Sequence, residues 1–394
     1  MDITTGIVLA AGEGTRLRPL TFNRPKTMLP AAGRPILEHV LDVLVDCGIE
    51  RLCLVVGYQR ERVQEHFGPS YRDVPITYVH QAKQLGSGHA LQQAAPEVEG
   101  PVLVLNGDRV IDERIVADVL EGFDGRPAMA VLDHPIPTRY GAVEVDDGTL
   151  SMLVEKPDSD DFGRINAGVY AFDEVVFDAI ERTPRRNGEL QLPDVIETLM
   201  EDGEVRAVPT DGLWVDATYP WDLLYLTREL LANGRVEFPK RDGNVWVADS
   251  ARVHPDATLQ GPVVVGPDAE IAASAVVGPD VAVGRNATVG GNVTLQNALL
   301  DSDCRVGPGS TLVDCVAGQS VSIGPGTVVP GGPSDVRVGE TVFENQRLGA
   351  VVADRASVGG GVTFAPGTLV GADAAVGTGA HVSGWIRNGA EVVR

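Results

Sequence analysis

The residues best able to do chemistry lie at 9–30. Leu9-Ala10-Ala11-Gly12-Glu13-Gly14-Thr15-Arg16-Leu17 follows the apolar run Ile7-Val8, and Lys26 stands ten residues beyond Arg16. Glycines at 12 and 14 let the backbone approach a ligand and aim successive N–H groups at one anion. Thr15 adds a hydroxyl, Arg16 a planar fork of donors and Lys26 a mobile point charge. Such a turn cradles phosphate. A Walker A loop would need lysine directly before serine or threonine. The dinucleotide fingerprint would need glycine where Leu17 stands.

Three further stretches carry matching chemistry. In Gln81-Ala82-Lys83-Gln84-Leu85-Gly86-Ser87-Gly88-His89-Ala90, Gln81 has the donor and acceptor to pair with a pyrimidine edge. Gly86 permits close approach, and Ser87 is expected to cap the following helix while touching base or ribose. His89 suits packing or capping better than general-base work. The apolar run 102–105 delivers Asp108 at its carboxyl end, and Trp214-Val215-Asp216 delivers a second carboxylate. Magnesium asks for one or two such carboxylates plus phosphate oxygens and water. Gly141, Glu155-Lys156 and Asn166-Ala167-Gly168 supply hydroxyl partners and a cation for a phosphorylated sugar. Trp214, Tyr219 and Trp221 are expected to pack around that region.

Taken in order, these strings resemble the sugar-1-phosphate nucleotidylyltransferases, the family of the glucose-1-phosphate thymidylyltransferases and N-acetylglucosamine-1-phosphate uridylyltransferases. The resemblance runs over residues 6–232. It implies that Leu9, Ala11, Gly12, Gly14, Thr15, Gln81, Gly86 and Ser87 bind the nucleotide, with Arg16 and Lys26 catalytic. It further implies that Gly141, Glu155, Lys156 and Asn166 bind the sugar phosphate, and that Asp108 and Asp216 hold Mg²⁺. The family string Trp-x-Asp-x-Gly is here Trp214-Val215-Asp216-Ala217-Thr218, a departure after the carboxylate. The implied reaction is attack of a sugar-1-phosphate on a nucleoside triphosphate, UTP or dTTP favoured, with loss of pyrophosphate. Some relatives add an acetyltransferase, but its His-x-Ser-Tyr-x-Gly-Asp stretch has no counterpart here. A non-catalytic regulatory homologue is the third alternative.

Alternating apolar and helical patterns place these residues on an α/β fold, a Rossmann-like domain over 1–232 with a mixed, mainly parallel sheet. Strands are expected at 3–10, 51–57, 76–80, 102–106, 128–133 and 165–172. Helices are expected at 35–47, 59–67, 87–95, 113–122, 191–202 and 220–232. A linker at 233–245 leads to a second domain at 246–394 with a six-residue beat. Val265, Ile271, Val277, Val283, Val289 and Leu295 are six apart, as are Val352, Val358, Phe364, Val370, Val376 and Val382. Val306 and Leu312 keep a shifted phase, and 329–346 interrupts it. Hexapeptide repeats of this kind predict a left-handed parallel β-helix with aliphatics on its axis and glycine or polar corners. Such helices assemble side by side, so a homo-oligomer, a trimer first, is expected.

Composition narrows the partners. With 55 acidic against 32 basic residues the formal charge is −23, and lysine occurs only at 26, 83, 156 and 240. No basic stripe is present for nucleic acid. No apolar run nears the roughly 18 residues of a membrane span. The first residues show no basic signal region, so a cytoplasmic protein is expected. The lysine-poor acidic surface points to a halophilic host. Cysteines 47, 53, 304 and 315 lack disulfide or zinc spacing and read as small hydrophobes.

Overall fold

The computed structural model describes residues 2–159 and 161–393. The chain resolves into two compact units. One joins the residues up to Glu13 with Ile36–Val215; the other joins Gly14–Pro35 with the chain from Asp216 on.

The first unit is built on strands β1 (Thr5–Ala10), β2 (Arg51–Val56), β3 (Ser70–Tyr71), β4 (Val74–His80), β5 (Val102–Asn106), β6 (Ala128–Asp133), β7 (Gly141–Asp146), β8 (Thr149–Glu155), β9 (Arg164–Phe172) and β10 (Arg206–Thr210). Around them run helices α1 (Ile36–Asp46), α2 (Arg60–Phe67), α3 (Ser87–Ala94), α4 (Glu113–Gly122), α5 (Val175–Arg182) and α6 (Leu192–Asp202). The strands form one sheet in the order β7-β8-β10-β6-β9-β5-β1-β2-β4-β3. Its centre, β5-β1-β2-β4, is parallel, and β5, β1 and β2 are continuous apolar runs buried on both faces, as inner parallel strands are.

A mainly parallel sheet was expected, and the described pairings correct this. Beyond β5 the sheet turns largely antiparallel, through β5–β9, β9–β6, β9–β7, β7–β8 and β8–β10. One of these pairings, β7–β8, follows from local turn chemistry. Asp147 and Gly148 both have positive φ, 48° and 80°, and close the β7–β8 hairpin in two residues. An Asp-Gly pair favours that turn because its twist matches the flanking strands.

In the second unit strands pair in parallel with strands one coil further on, along three ladders. One runs Val263, Val281, Ala298, Cys315, Ala350, Thr368. A second runs Arg252, Glu270, Thr288, Arg305, Ser322, Ser357. A third runs Thr258, Val276, Thr294, Thr311, Val328, Thr363. The aliphatic residues spaced six apart all lie in one buried stack. Between them Asp268, Ser274, Asp280, Asn286 and Asn292 turn the chain at positive φ. Short polar side chains tolerate that conformation because they bond locally.

The 329–346 interruption is an antiparallel hairpin, Pro333–Val338 with Thr341–Arg347. Buried Asp314 anchors both its ends, accepting from Gly332 N at 2.9 Å and from Arg347 Nε at 3.0 Å. Helix α7 (Asp222–Ala232) buries Leu223, Leu226 and Leu230 against the same unit.

Candidate active site

In the first unit, strand ends and turns present the candidate residues. Leu9 is half-buried at the end of β1, and its carbonyl accepts from Gly107 N at 3.0 Å. The Ala11 carbonyl accepts from Gln84 Nε2 at 3.1 Å. A side chain on Gly12 would meet nothing within 4 Å, so no packing demand explains that glycine. Asp108 is half-buried in the turn that follows β5.

Gln81 is almost fully buried, and its Nε2 donates to Gly86 O at 3.0 Å and meets His89 Nδ1 at 2.9 Å. A carbonyl can only accept, so this contact sets which end of the amide is nitrogen. Burial, assisted by Arg185, lowers the His89 pKa and favours the neutral ring that accepts there. Gly86 has φ 100°, and a Cβ on it would overlap the Leu190 carbonyl. The close approach that needs this glycine is therefore internal.

Ser87 was expected to cap α3. The structure corrects this: Gly86 is the N-cap and Ser87 the first helical residue. Its hydroxyl turns to the start of α6, donating to Gln191 Oε1 at 3.1 Å and accepting from Leu192 N at 2.8 Å. The N–H groups at the start of α6 otherwise lack helical partners, and Ser87 satisfies one across the fold.

Asn166, Ala167 and Gly168 occupy an irregularity of β9, where its register against β6 shifts. Such bulges re-aim side chains. Asn166 Oδ1 accepts from Gly168 N at 2.8 Å, and the Asn166 carbonyl accepts from Arg109 Nη1 at 3.4 Å. Glu155 and Lys156 are exposed, 3.9 Å apart, and Lys156 has φ 49°. Gly141 leaves room for Glu155, whose Oε2 would lie 3.1 Å from any Cβ there. Trp214 packs on this region as expected, donating to Ala167 O at 2.8 Å and lying edge-on to Tyr140.

In the second unit, Gly14 has φ 64°, and a Cβ would sit 2.7 Å from the Lys26 Cβ. Gly14 thus lets Lys26 pack against the turn, a role the sequence did not reveal. Thr15–Leu17 forms a single tight turn, closed by Leu17 N to Gly14 O at 2.9 Å. The Arg16 guanidinium lies 5.9 Å above the Tyr219 ring.

Lys26 Nζ meets Asp216 Oδ1 at 3.5 Å, with both side chains 11% exposed. The other Asp216 oxygen accepts from the Thr218 hydroxyl, so the departure from the family string supplies a new partner. Nearby, Asp222 accepts from Thr218 N and Tyr219 N at 2.9 and 2.6 Å. Burial, reinforced by the Asp216 charge, pushes its pKa to about 6.

The sequence left two neighbours without a role. Asp222 carries no motif, and Arg24, although inside the cradle stretch, has nothing local to pair with. Tyr219 and Trp221 have partners that the sequence did not name. They stack on each other at 4.9 Å, and both meet Phe343 of the hairpin, at 4.5 and 5.4 Å. Aromatic faces seek such partners when buried together, and the hairpin supplies one 122 residues beyond Trp221.

Asp108 and Asp216 offer hard oxygen donors. Among the described residues no group of three or more His, Cys, Asp or Glu is arranged to hold a metal. Each of the two carboxylates is the donor type that a hard divalent cation takes when phosphate oxygens and water complete its shell. No described helix is long and apolar enough to cross a membrane.

The nucleotidyl transferase family model matches residues 5–232, and the GMPPB C-terminal domain model matches 259–386. The chain is 32% identical over 389 residues to the bifunctional protein GlmU of Methanococcus maripaludis, covering 94% of this chain and 92% of that protein. It is 36% identical over 223 residues to the UTP–glucose-1-phosphate uridylyltransferase AglF of Haloferax volcanii, covering 55% of this chain and 92% of that one. Its fold is similar to that of a UDP-glucose pyrophosphorylase crystallised with UDP-glucose, with a TM-score of 0.54 and 21% identity over 59% of this chain and 99% of that one.

Proposed function

The chain belongs to the nucleotidyl transferase family, and from that premise we propose that it joins UTP, or else dTTP, to a sugar-1-phosphate and releases pyrophosphate. Glucose-1-phosphate and N-acetylglucosamine-1-phosphate are the proposed sugars. The uridylyltransferase name of the Haloferax relative supports uridine. The observation that carries the reading is the ion pair of Lys26 with Asp216. It joins the cradle loop to the proposed metal carboxylate, two motifs remote in sequence.

A sugar-phosphate oxygen attacks the α-phosphorus in line with the leaving pyrophosphate. The nucleophile is already an anion, so the chain has to orient and neutralise more than deprotonate. Arg16 and the amides of 12–15 take the triphosphate, with Leu9 and Ala11 beside it. Lys26 stabilises phosphate charge in the transition state. Gln81, Gly86 and Ser87 recognise the base. Gly141, Glu155 and Asn166 hold the sugar, and Lys156 holds its phosphate. A divalent cation, taken as Mg²⁺ on Asp108 and Asp216, would supply charge neutralisation at the α-phosphate. Domain limits of 1–232, 233–245 and 246–394 belong to this reading, as do a left-handed hand for the three ladders, a side-by-side trimer and cytoplasmic residence.

The test is pyrophosphate release with Mg²⁺ over four sugar-1-phosphates against UTP, dTTP, ATP and GTP. Signal confined to pyrimidine wells is the expected result. Silence from folded protein would move the chain to a regulatory role. One observation favours a second activity: alignment to relatives named bifunctional spans the ladder region as well. Acetyl-CoA with an amino-sugar phosphate in a parallel well tests it. Acyl transfer would need a general base, and His254 at the head of the ladders and His381 near their end are the candidates.

A further inference from the structure

Arg24 and the hairpin at Pro333–Arg347 have no part in this reaction as proposed. Both belong to the compact unit that carries Arg16 and Lys26. The cradle segment has little regular structure of its own. It contains two short turns, Thr15–Leu17 and Lys26–Met28, and a two-residue ladder of Pro30–Ala31 with Arg34–Pro35. Its own backbone bonds therefore do little to fix where Lys26 points.

Arg24 is only 5% exposed and lies two residues before Lys26. Its Nη1 donates to Asp301, and its Nη2 donates to Asp354 at 2.8 Å. These carboxylates come from alternate coils. Leu300 pairs with Ala317 and Ala317 with Val352, so the two flank the coil that turns at Gly318. Gly318 is needed there, because a Cβ would overlap Asp354 Oδ1.

Each carboxylate is already oriented by a backbone N–H, Asp301 by the next residue of its own coil and Asp354 by the coil that turns at Gly318. Asp301 accepts from Ser302 N at 2.6 Å, and Asp354 from Gln319 N at 3.0 Å. Burial opposes the charge on Arg24, but Asp301 and Asp354 outweigh it and hold the guanidinium above its ordinary pKa. A rigid fork bridging two preset carboxylates fixes position as well as charge. A second strut reaches Arg16: Phe343 packs on Tyr219, and Tyr219 lies under the Arg16 guanidinium.

We infer that the ladder region is part of the transfer apparatus, with Arg24 locked between Asp301 and Asp354, and Phe343 seated on Tyr219, as positioning residues for Lys26 and Arg16. This rests on the reading that Lys26 and Arg16 act on nucleotide phosphates. Displacing a charged group by about 1 Å costs on the order of a hundredfold in rate, so a small loosening of the segment is measurable.

The experiment uses the full chain with UTP, glucose-1-phosphate and Mg²⁺, comparing wild type, Arg24→Lys, Phe343→Ala and Arg252→Gln. Arg252 pairs with Glu270 on the exposed face of the ladders and serves as the control. Lysine at 24 keeps the charge but cannot bridge two carboxylates. The expected result is kcat down by about tenfold or more in Arg24→Lys, with KM for UTP within about twofold. Phe343→Ala should instead raise KM through Arg16, and Arg252→Gln should match wild type.

Hydrogen exchange separates positioning from unfolding. Amides at 26–29 should exchange faster in Arg24→Lys while Val281–Val283 stays protected. An unchanged kcat in Arg24→Lys overturns the inference. So does loss of protection in the ladders together with the loop, which would make Arg24 a fold-wide tie. A silent wild type means that the transfer reading has failed and takes the inference with it. That result is distinct from an active wild type matched by an equally active Arg24→Lys.

Discussion

Polar candidates in the two units are held in opposite ways. In the first unit several partners are close in sequence: Gln81 bonds to Gly86 and His89, Asn166 to Gly168, and Lys156 neighbours Glu155, while Ser87 reaches across to Gln191 and Leu192. In the second the partners of the two cations are remote, although Asp216 and Asp222 also bond locally to Thr218. Arg24 pairs with residues 277 and 330 positions away, and Lys26 pairs with Asp216. A turn or bulge can hold a group by itself, because its own backbone supplies the bonds. A loop with little regular structure must borrow partners from a rigid body. Substitutions in the first unit should therefore stay local, and those in the second should spread.

The largest effect should come from Lys26→Met. It should lower kcat about 100- to 1,000-fold, the usual consequence of losing one preorganised charge at a reacting phosphate. Steady-state pyrophosphate release checks this, and activity near wild type would remove Lys26 from the mechanism. Next, Arg24→Met leaves two buried carboxylates facing each other and should destabilise the chain by about 3–5 kcal/mol. Urea unfolding measures it; a change below about 1 kcal/mol would mean that the remote pairing does not matter.

Leu295→Ala in the aliphatic stack should cost about 2–3 kcal/mol, because neighbouring coils cannot collapse into the void. Ser87→Ala is the smallest change. It should cost about 1 kcal/mol through the lost bond at the start of α6. Its effect on hydrogen exchange should stay within α3 and α6. Spread into the ladders would break the contrast between the units.

How much could be read in advance depended on how local the cause was. The apolar runs and caps placed the central strands and most helices within a residue or two. For example, 87–95 was expected for α3 and Ser87–Ala94 is found. The six-residue beat marked Val277, Val358 and Phe364, all of which are buried in the stack. The antiparallel half of the sheet escaped, although Asp147-Gly148 was visible as a hairpin turn. Helix α5 was also missed, although Val176, Ala179 and Ile180 have helical spacing and are buried.

Sequence alone determined the chemistry on offer: a phosphate-cradling turn, two strand-end carboxylates, and a stack of aliphatics six residues apart. Each follows from neighbours along the chain, where spacing and residue type decide the outcome. Only the tertiary structure decided that Gly14 makes room for Lys26 and that Gly86 makes room for Leu190. It likewise decided that Ser87 serves α6 and that Arg24 bridges Asp301 and Asp354. These depend on which distant backbone or carboxylate arrives beside a residue, and no local pattern encodes a partner some 300 residues away.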